Sequence, residues 1–128
     1  MKKRLKSYKE LKVWQKAVQL SINIFQVTKK FPKSELYGLT SQMRRCAIAI
    51  ASNIAEGACR GHLAEYIQFL RISFASGAEL ETQLIIVKEV GLLKEEEFVR
   101  VKSQLDEIMR MLNSLISKLE GKKVISRT

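Results

Sequence analysis

The stretch from Leu39 to Gly61 constrains the fold of this chain more than any other, because it holds an unbroken run of small apolar residues. The run is CAIAIA, from Cys46 to Ala51, and an arginine pair precedes it. A surface helix has one apolar stripe with polar residues opposite, whereas this segment is apolar around nearly its whole circumference for almost two turns. We therefore expect a helix with neighbours on several sides, inside a bundle or at a subunit contact.

Length and composition indicate one globular domain. The 128 residues are 46% apolar and 28% charged, and they include only one proline and six glycines, which favours helix. No stretch approaches the roughly 20 apolar residues of a membrane helix, and the basic start lacks the apolar segment of a signal peptide. The sequence therefore predicts a cytoplasmic protein, in which Cys46 and Cys59, lacking metal-site spacing, stay reduced.

The net charge of +10 is concentrated at the two ends of the chain. Residues 1–12 carry +5 and residues 118–128 carry +3, so the body between them carries only +2. Basic tails attract polyanions at low salt. The candidate nucleic-acid contacts are therefore basic residues of these tails: Lys2, Lys3, Arg4, Lys6, Lys9, Lys12, Lys122, Lys123 and Arg127.

Apolar periodicity and breaker residues predict four helices. Their expected bounds are about Glu10 to Lys30, Tyr37 to Ala58, Leu63 to Val90 and Lys94 to Leu119. Thr40 or Ser41 is the expected cap of the second helix, with an earlier start at Ser34 as the alternative, and Gly91 is the expected end of the third. Ser76-Gly77-Ala78 places small residues inside the third helix. Since an interior glycine costs about 1 kcal/mol against alanine, we expect close packing there.

Each predicted helix has an apolar stripe that should face the core. The main stripe of the first helix is Leu11, Trp14, Val18, Ile22 and Phe25, and the residues that widen it are Val13, Leu20, Ile24 and Val27. The second helix has Leu39, Met43, Ala47, Ile50 and Ile54. The third has Leu63, Ile67, Leu70, Phe74, Leu80, Leu84 and Val87, and Phe69 and Ile86 widen this stripe. The fourth has a heptad, typical of nearly parallel helices: Phe98, Val101, Leu105, Ile108, Leu112, Leu115 and Leu119.

Four helices with short connections and no strand pattern predict an all-α, up-down-up-down four-helix bundle. The bundle is a single domain, residues 1–128, with a core from about 8 to 119 and basic tails at 1–7 and 121–128. The apolar surplus of the second helix exceeds what one thin bundle would bury. We therefore also expect a ring-shaped homo-oligomer, formed by a head-to-tail contact that closes.

Catalytic and metal-binding patterns give no support for an enzyme. A dimetal site in a four-helix bundle needs two Glu-x-x-His pairs and two further glutamates, but the chain has one histidine, His62, with Glu65 in the reverse order. The same histidine would have to serve any Ser-His-Asp or Cys-His arrangement, and no phosphate-loop or GxGxxG motif is present. We expect a protein without enzymatic activity, metal or cofactor.

Polar residues in and around the second and third helices need partners, because one unpaired buried charge is very costly. We expect an ion-pair network that fixes helix register or subunit orientation, formed by Arg44, Arg45, Asn53, Glu56, Arg60, Glu79 and Glu81. The alternative is a ligand or phosphate site, because arginine guanidinium groups match phosphate geometry.

Several blocks of the sequence resemble a known family. They are YKELKVWQKAVQL, FPKSELYGLTSQMRR, SNIAEGACR, EYIQFL and ASGAELETQL. In this order they resemble the bacterial four-helix-bundle family of 23S rRNA intervening-sequence proteins, over about Tyr8 to Leu119. The resemblance implies ring-shaped homopentamers, and a distant similarity to the accessory proteins of diversity-generating retroelements, which bind nucleic acid and a reverse transcriptase.

Two functional hypotheses follow. In the first, a ring of basic subunits binds structured RNA or other nucleic acid electrostatically, because several copies of two basic tails multiply a modest charge. In the second, the protein is a structural adaptor that binds a protein partner without nucleic acid, as the nearly neutral body suggests. A partner from the resemblance would be a reverse transcriptase or another protein.

Overall fold

A computed structural model of the chain describes residues 7–121, and this part contains four α-helices and no strand. The helices are α1 (Lys12–Thr28), α2 (Ser41–Cys59), α3 (Leu63–Glu89) and α4 (Glu95–Leu119). Each helix packs against the next, and α4 packs against α1. The predicted all-α four-helix bundle is confirmed. None of the helices in residues 7–121 is long and apolar enough to cross a membrane.

The predicted bounds of α1 and α2 need correction. Ahead of α1, Tyr8–Glu10 form a separate 3₁₀ turn, in which the Ser7 side chain accepts a hydrogen bond from the Lys9 N–H. α2 begins at Ser41 instead of Tyr37, because Leu36–Thr40 form a wide turn in which Gly38 has non-helical angles (φ −115°, ψ −106°).

The predicted side-chain cap of α2 is also wrong. The chain enters α2 in a helical conformation at Thr40, and no side-chain hydrogen bond caps the helix. The hydroxyl of Thr40 is buried without a partner among the described residues.

The predicted end of α3 lies at Gly91, which follows Val90, the residue directly after the helix, and adopts φ +84°. This left-handed conformation suits glycine, and it confirms the expected helix end.

The face of α1 that enters the core differs from the one predicted. Its buried apolar residues are Val13, Ala17, Leu20, Ile24 and Val27, most of which were expected only to widen the stripe. Ile22 and Phe25 of the predicted main stripe are instead exposed to 45% and 41%. Because α1 has apolar residues on two adjacent faces, periodicity alone did not decide which face meets the bundle.

The core stripes of the other helices largely follow the sequence. In α2, Met43, Ala47, Ile50 and Ile54 are fully buried, and in α4 the same holds for Val101, Leu105, Ile108 and Leu112. The prediction for α3 is wrong at two residues, since Leu63 and Ile86 are 56% and 47% exposed. Leu63 is the first residue of α3.

The glycines of α2 and α3 lie at close helix contacts. A Cβ atom at Gly57 would lie 2.6 Å from Cβ of Phe69 on α3, and one at Gly77 would lie 2.3 Å from Sδ of Met109 on α4. Both glycines are buried. The close packing predicted around Gly77 is therefore confirmed.

Candidate interaction surfaces

The start of α1 and the end of α4 meet at one end of the bundle. A surface cleft of about 300 Å³ lies between them, and its lining residues are Leu11, Lys12, Val13, Met111, Ser114, Leu115 and Lys118. Lys9 and Lys12, two of the predicted nucleic-acid contacts, lie exposed at this end. The other seven predicted contacts lie outside the described residues: Lys2, Lys3, Arg4, Lys6, Lys122, Lys123 and Arg127.

Both basic tails are therefore attached to the same end of the bundle. Residues 1–6 contain four basic residues and residues 122–128 contain three, and neither segment contains an acid. They contribute seven of the ten net positive charges and join the bundle at residues 7 and 121. We call this the basic end.

The half-buried Arg44 is held by the last turn of α1 instead of by a carboxylate. Its Nε donates to Oγ1 of Thr28 at 2.9 Å, and its Nη2 donates to the carbonyl oxygen of Phe25 at 3.4 Å. Its guanidinium carbon also lies 4.6 Å from the centroid of the Phe25 ring. A hydroxyl oxygen, a carbonyl oxygen and an aromatic ring hold the side chain in place. None of these partners carries a negative charge, so the positive charge of Arg44 is not neutralised by them.

Two further members of the predicted ion-pair network contact each other at the C-terminal end of α2. Arg60 Nη2 lies 3.1 Å from Oε1 of Glu56, one helical turn away, and the guanidinium lies 4.9 Å from the centroid of the Phe69 ring. Asn53 instead donates from Nδ2 to the carbonyl oxygen of Ala49 at 2.8 Å. These contacts are local to the helix surface.

Glu81 belongs to an ion-pair cluster between α3 and α4. Lys102 Nζ lies 3.0 Å from Oε2 of Glu81 and 2.9 Å from Oδ1 of Asp106. The hydrogen bond to Asp106 raises the pKa of Lys102 most, and the hydrogen bond to Glu81 raises it further. The cluster links the two helices and keeps the ammonium group charged.

Arg45 and Glu79 are brought together around a buried thiol. Cys46 is 6% exposed. Burial, then a hydrogen bond with Glu79 and the charge of that carboxylate, raise the pKa of Cys46 to about 11, while Gln83 and Arg45 act in the opposite direction. The thiol is therefore protonated at neutral pH and has little nucleophilic character. Cys59 is exposed.

An apolar groove runs between the outer faces of α1 and α2. Its volume is about 560 Å³, and its lining residues are Tyr8, Trp14, Val18, Ser21, Ile22, Phe25, Gln26, Ile48, Ala51, Ser52 and Ala55. The rings of Tyr8 and Trp14 pack edge to face at 5.3 Å near one end of it. Ile48, from the apolar run of α2, is 45% exposed here. One side of the apolar run thus stays uncovered in a single subunit.

A second apolar surface lies on α3. Ile72 and Ile86 are 43% and 47% exposed, and fourteen residues, about four turns, separate them. They therefore lie on the same side of the helix, and the exposed Val90 follows one turn later. We call these three residues the α3 stripe.

Sequence reasoning missed one exposed aromatic residue. Tyr37 was expected to begin the second helix, but the wide turn at Gly38 leaves it 94% exposed. It borders a cleft of about 480 Å³ whose other lining residues are Leu36, Ser41, Arg44, Arg45 and Ile48. The sequence feature that could have predicted this exposure is Gly38, directly after the tyrosine, since glycine is unfavourable inside a helix.

Comparisons with known proteins agree with the fold. Residues 9–114 match the sequence model of the 23S rRNA-intervening sequence protein family. Among solved structures, a protein of unknown function from the S23 ribosomal protein family of Bacteroides thetaiotaomicron VPI-5482 is similar, with a TM-score of 0.76 and 22% identity. The similarity covers 82% of this chain and 95% of that one. The comparison with curated proteins finds no match.

Proposed function

The chain belongs to the 23S rRNA-intervening sequence protein family, and from this premise we propose that it is a non-enzymatic, ring-shaped homopentamer that binds structured RNA or another nucleic acid. The observation that carries the proposal is the attachment of both basic tails to one end of the bundle. Electrostatic attraction to phosphates then acts from a single surface of each subunit.

The charge distribution supports electrostatic binding. The two tails hold seven of the ten net positive charges, so residues 7–121 retain only +3. A nucleic acid that meets the basic end therefore meets most of the excess charge of the subunit. Such contacts to phosphates carry no sequence information, so the binding tolerates different sequences.

Two apolar surfaces support the ring. The groove between α1 and α2 and the α3 stripe are different surfaces of one subunit, and both leave large apolar side chains exposed. A contact between two different patches is heterologous, and it forms a ring when the rotation closes. We propose that the α3 stripe of one subunit packs into the groove of the next.

The ring multiplies the charge. In a cyclic arrangement, equivalent ends of all subunits face the same side, so five basic ends form one rim. Simultaneous contacts by linked sites raise the overall affinity above that of one subunit. This accounts for nucleic-acid binding by a body that is itself nearly neutral.

The test is a salt titration of RNA binding with two matched variants. The first variant replaces Lys2, Lys3 and Arg4 in a tail by glutamine, and the second replaces the exposed body residues Lys29, Lys33 and Arg100. Both lose three charges per subunit. Fluorescence anisotropy of a labelled RNA hairpin would be measured between about 50 and 200 mM salt. We expect the tail variant alone to lose about tenfold or more in affinity and to show a shallower salt dependence.

Three outcomes contradict the proposal. Equal loss in both variants would assign binding to overall charge instead of to the basic end. Binding that ignores salt would exclude the electrostatic mechanism. If the wild-type protein binds no nucleic acid, and a protein partner is captured equally with and without nuclease, the scaffold alternative is correct.

A further inference from the structure

The cleft beside Tyr37 combines an exposed aromatic ring with two guanidinium groups. Tyr37 enters it from the wide turn before α2, while Ser41, Arg44 and Arg45 enter from the first turns of α2. The basic end lies at the opposite end of α2, because α2 runs antiparallel to α1. The cleft is therefore a separate place from the one that carries the proposed electrostatic binding.

The Tyr37 side chain contributes almost nothing to the packing of the subunit. Its surface is 94% exposed. An aromatic face that is accessible in this way is the feature on which nucleic-acid bases stack, and every base has a face that fits.

Neither arginine of the cleft is paired with a carboxylate. Among residues 7–121, no carboxylate lies within 4 Å of either guanidinium group. Arg44 is fixed by Thr28 and Phe25 as described, so its guanidinium is pre-organised. Arg45 is exposed, and it forms no ion pair with Glu79, although both act on the Cys46 thiol. Guanidinium groups match phosphate oxygens in geometry and charge.

We propose that this cleft binds one nucleotide of a single-stranded nucleic-acid segment. The base stacks on Tyr37, and the adjoining phosphate contacts Arg45, with Arg44 and the Ser41 hydroxyl beside it. The cleft volume of about 480 Å³ provides the space for a nucleotide. The proposal rests on nucleic-acid binding by this protein, and adds a site on the body that does not depend on the tails.

The cleft stays compatible with the proposed ring. It shares only Ile48 with the apolar groove, so it lies at the end of that groove. A neighbouring subunit packed along the groove would leave Tyr37 at the rim of the contact.

The test uses a short single-stranded oligonucleotide, six uridines, with 5-iodouracil at one position for crosslinking. We expect irradiation to crosslink Tyr37, identified by mass spectrometry of the digested protein. Tyr37→Phe should keep the affinity, while Tyr37→Ala and Arg45→Gln should each lower it about tenfold or more. The matched control is Arg100→Gln, which removes one exposed arginine elsewhere on the surface and should change the affinity less than twofold.

The outcomes separate this site from the basic end. If the oligonucleotide binds but crosslinks elsewhere, and Tyr37→Ala binds equally well, the site is wrong while tail-mediated binding stands. If Tyr37→Ala dissociates the assembly in light scattering, Tyr37 is a subunit contact and the proposal is overturned. If crosslinking at Tyr37 persists in the variant with glutamine at Lys2, Lys3 and Arg4, the site is supported independently of the tails.

Discussion

Ser73 of α3 donates a hydrogen bond from its hydroxyl to the carbonyl oxygen of Ile50 in α2 at 2.7 Å, and both residues are fully buried. This bond joins the two helices that pack most extensively in the bundle. A polar group inside the core is tolerated because it is hydrogen-bonded. The bond also fixes the register of α3 along α2, because Ser73 has its partner only when it lies level with Ile50.

Replacement of Ser73 by alanine should destabilise the protein by about 1 kcal/mol. The hydroxyl is lost with its bond, while the Ile50 carbonyl remains within a helix, so the cost is that of one ordinary hydrogen bond. The free energy of unfolding in urea measures the effect. Ser103→Ala is the matched control, since Ser103 lies exposed in the middle of α4, and it should shift the free energy by less than about 0.5 kcal/mol. Equal effects would contradict the assigned bond.

The two buried glycines should respond differently to alanine. At Gly57 the new Cβ would meet Cβ of Phe69 at 2.6 Å, and that atom moves only with the backbone. At Gly77 it would meet Sδ of Met109, which is near the end of a flexible side chain. We expect Gly57→Ala to destabilise by about 1–3 kcal/mol through overpacking. Gly77→Ala should be near neutral, since Met109 adjusts and alanine gains helix propensity. Thermal unfolding compares them, and an equal loss would contradict the prediction.

The fold was predictable from the sequence because the strongest patterns are those of helices. The heptad of α4 and the main stripe of α2 each specify one buried face, and the centres of both are buried as predicted. The rest of the apolar run of α2 is not fully covered, since Ile48 stays 45% exposed in the subunit. The α1 prediction was wrong because Ile22 and Phe25 form an apolar face as convincing as that of Leu20 and Ile24. Such a second face is expected where a helix meets its own core and another molecule.

The interaction surfaces were predictable only in part. That both tails leave from one end follows from an up-down-up-down topology, which the sequence indicated. The partners of Arg44 could not be predicted from the sequence. They are a carbonyl oxygen and the ring of Phe25, and a pattern of charged residues indicates only carboxylate partners. Tyr37 was missed because one non-helical residue, Gly38, separates it from the helix to which it was assigned.

The ion pair between Lys30 and Glu97 should make stability depend on pH. The hydrogen bond from Lys30, together with that from the Lys94 N–H, holds the pKa of Glu97 below its ordinary value of 4.5. A lowered pKa stabilises the fold above about pH 4.5, and this contribution is lost as the pH falls through the folded-state value. Glu97→Gln should therefore cost up to about 1 kcal/mol at pH 7, because the pair is partly exposed. The difference from wild type should shrink as the pH falls below 4.5 and through the folded-state pKa of Glu97.

Glu96→Gln is the control for that experiment. Glu96 lies exposed in the same first turn of α4, so its replacement removes the same charge near the helix start. Urea unfolding at pH 7, 5 and 3 would be compared for both variants. A pH-independent difference between Glu97→Gln and Glu96→Gln would contradict the role of the Lys30 contact.

The two cysteines should differ in reactivity towards thiol reagents. Cys46 is buried and its pKa is raised to about 11, so very little thiolate is present below pH 9. Cys59 is exposed at the end of α2. Iodoacetamide at pH 8 should label one cysteine per native chain, identified as Cys59, and two after unfolding. Cys46→Ala, which leaves native labelling unchanged, is the control. Equal native labelling of both residues would show that α2 and α3 separate readily.

The proposed subunit contact predicts that Ile48→Asp prevents assembly. Ile48 lines the apolar groove and is 45% exposed in the subunit, so the aspartate is tolerated in a monomer but would be desolvated in the contact. Light scattering would then give about 14.7 kDa instead of a multiple of it. Ile85→Asp is the matched control, because Ile85 is also 45% exposed but lies on another side of α3 from the α3 stripe. It should assemble like wild type.

The same experiment distinguishes a ring from a symmetric dimer. Ile86→Asp changes the α3 stripe and should also give a monomer, because a heterologous contact needs both patches. A mixture of the two variants should form a heterodimer, since the intact groove of one meets the intact stripe of the other. The chain ends there, because each remaining patch carries an aspartate. If Ile48→Asp alone abolishes assembly and Ile86→Asp does not, the groove packs against its own copy and the assembly is a dimer instead.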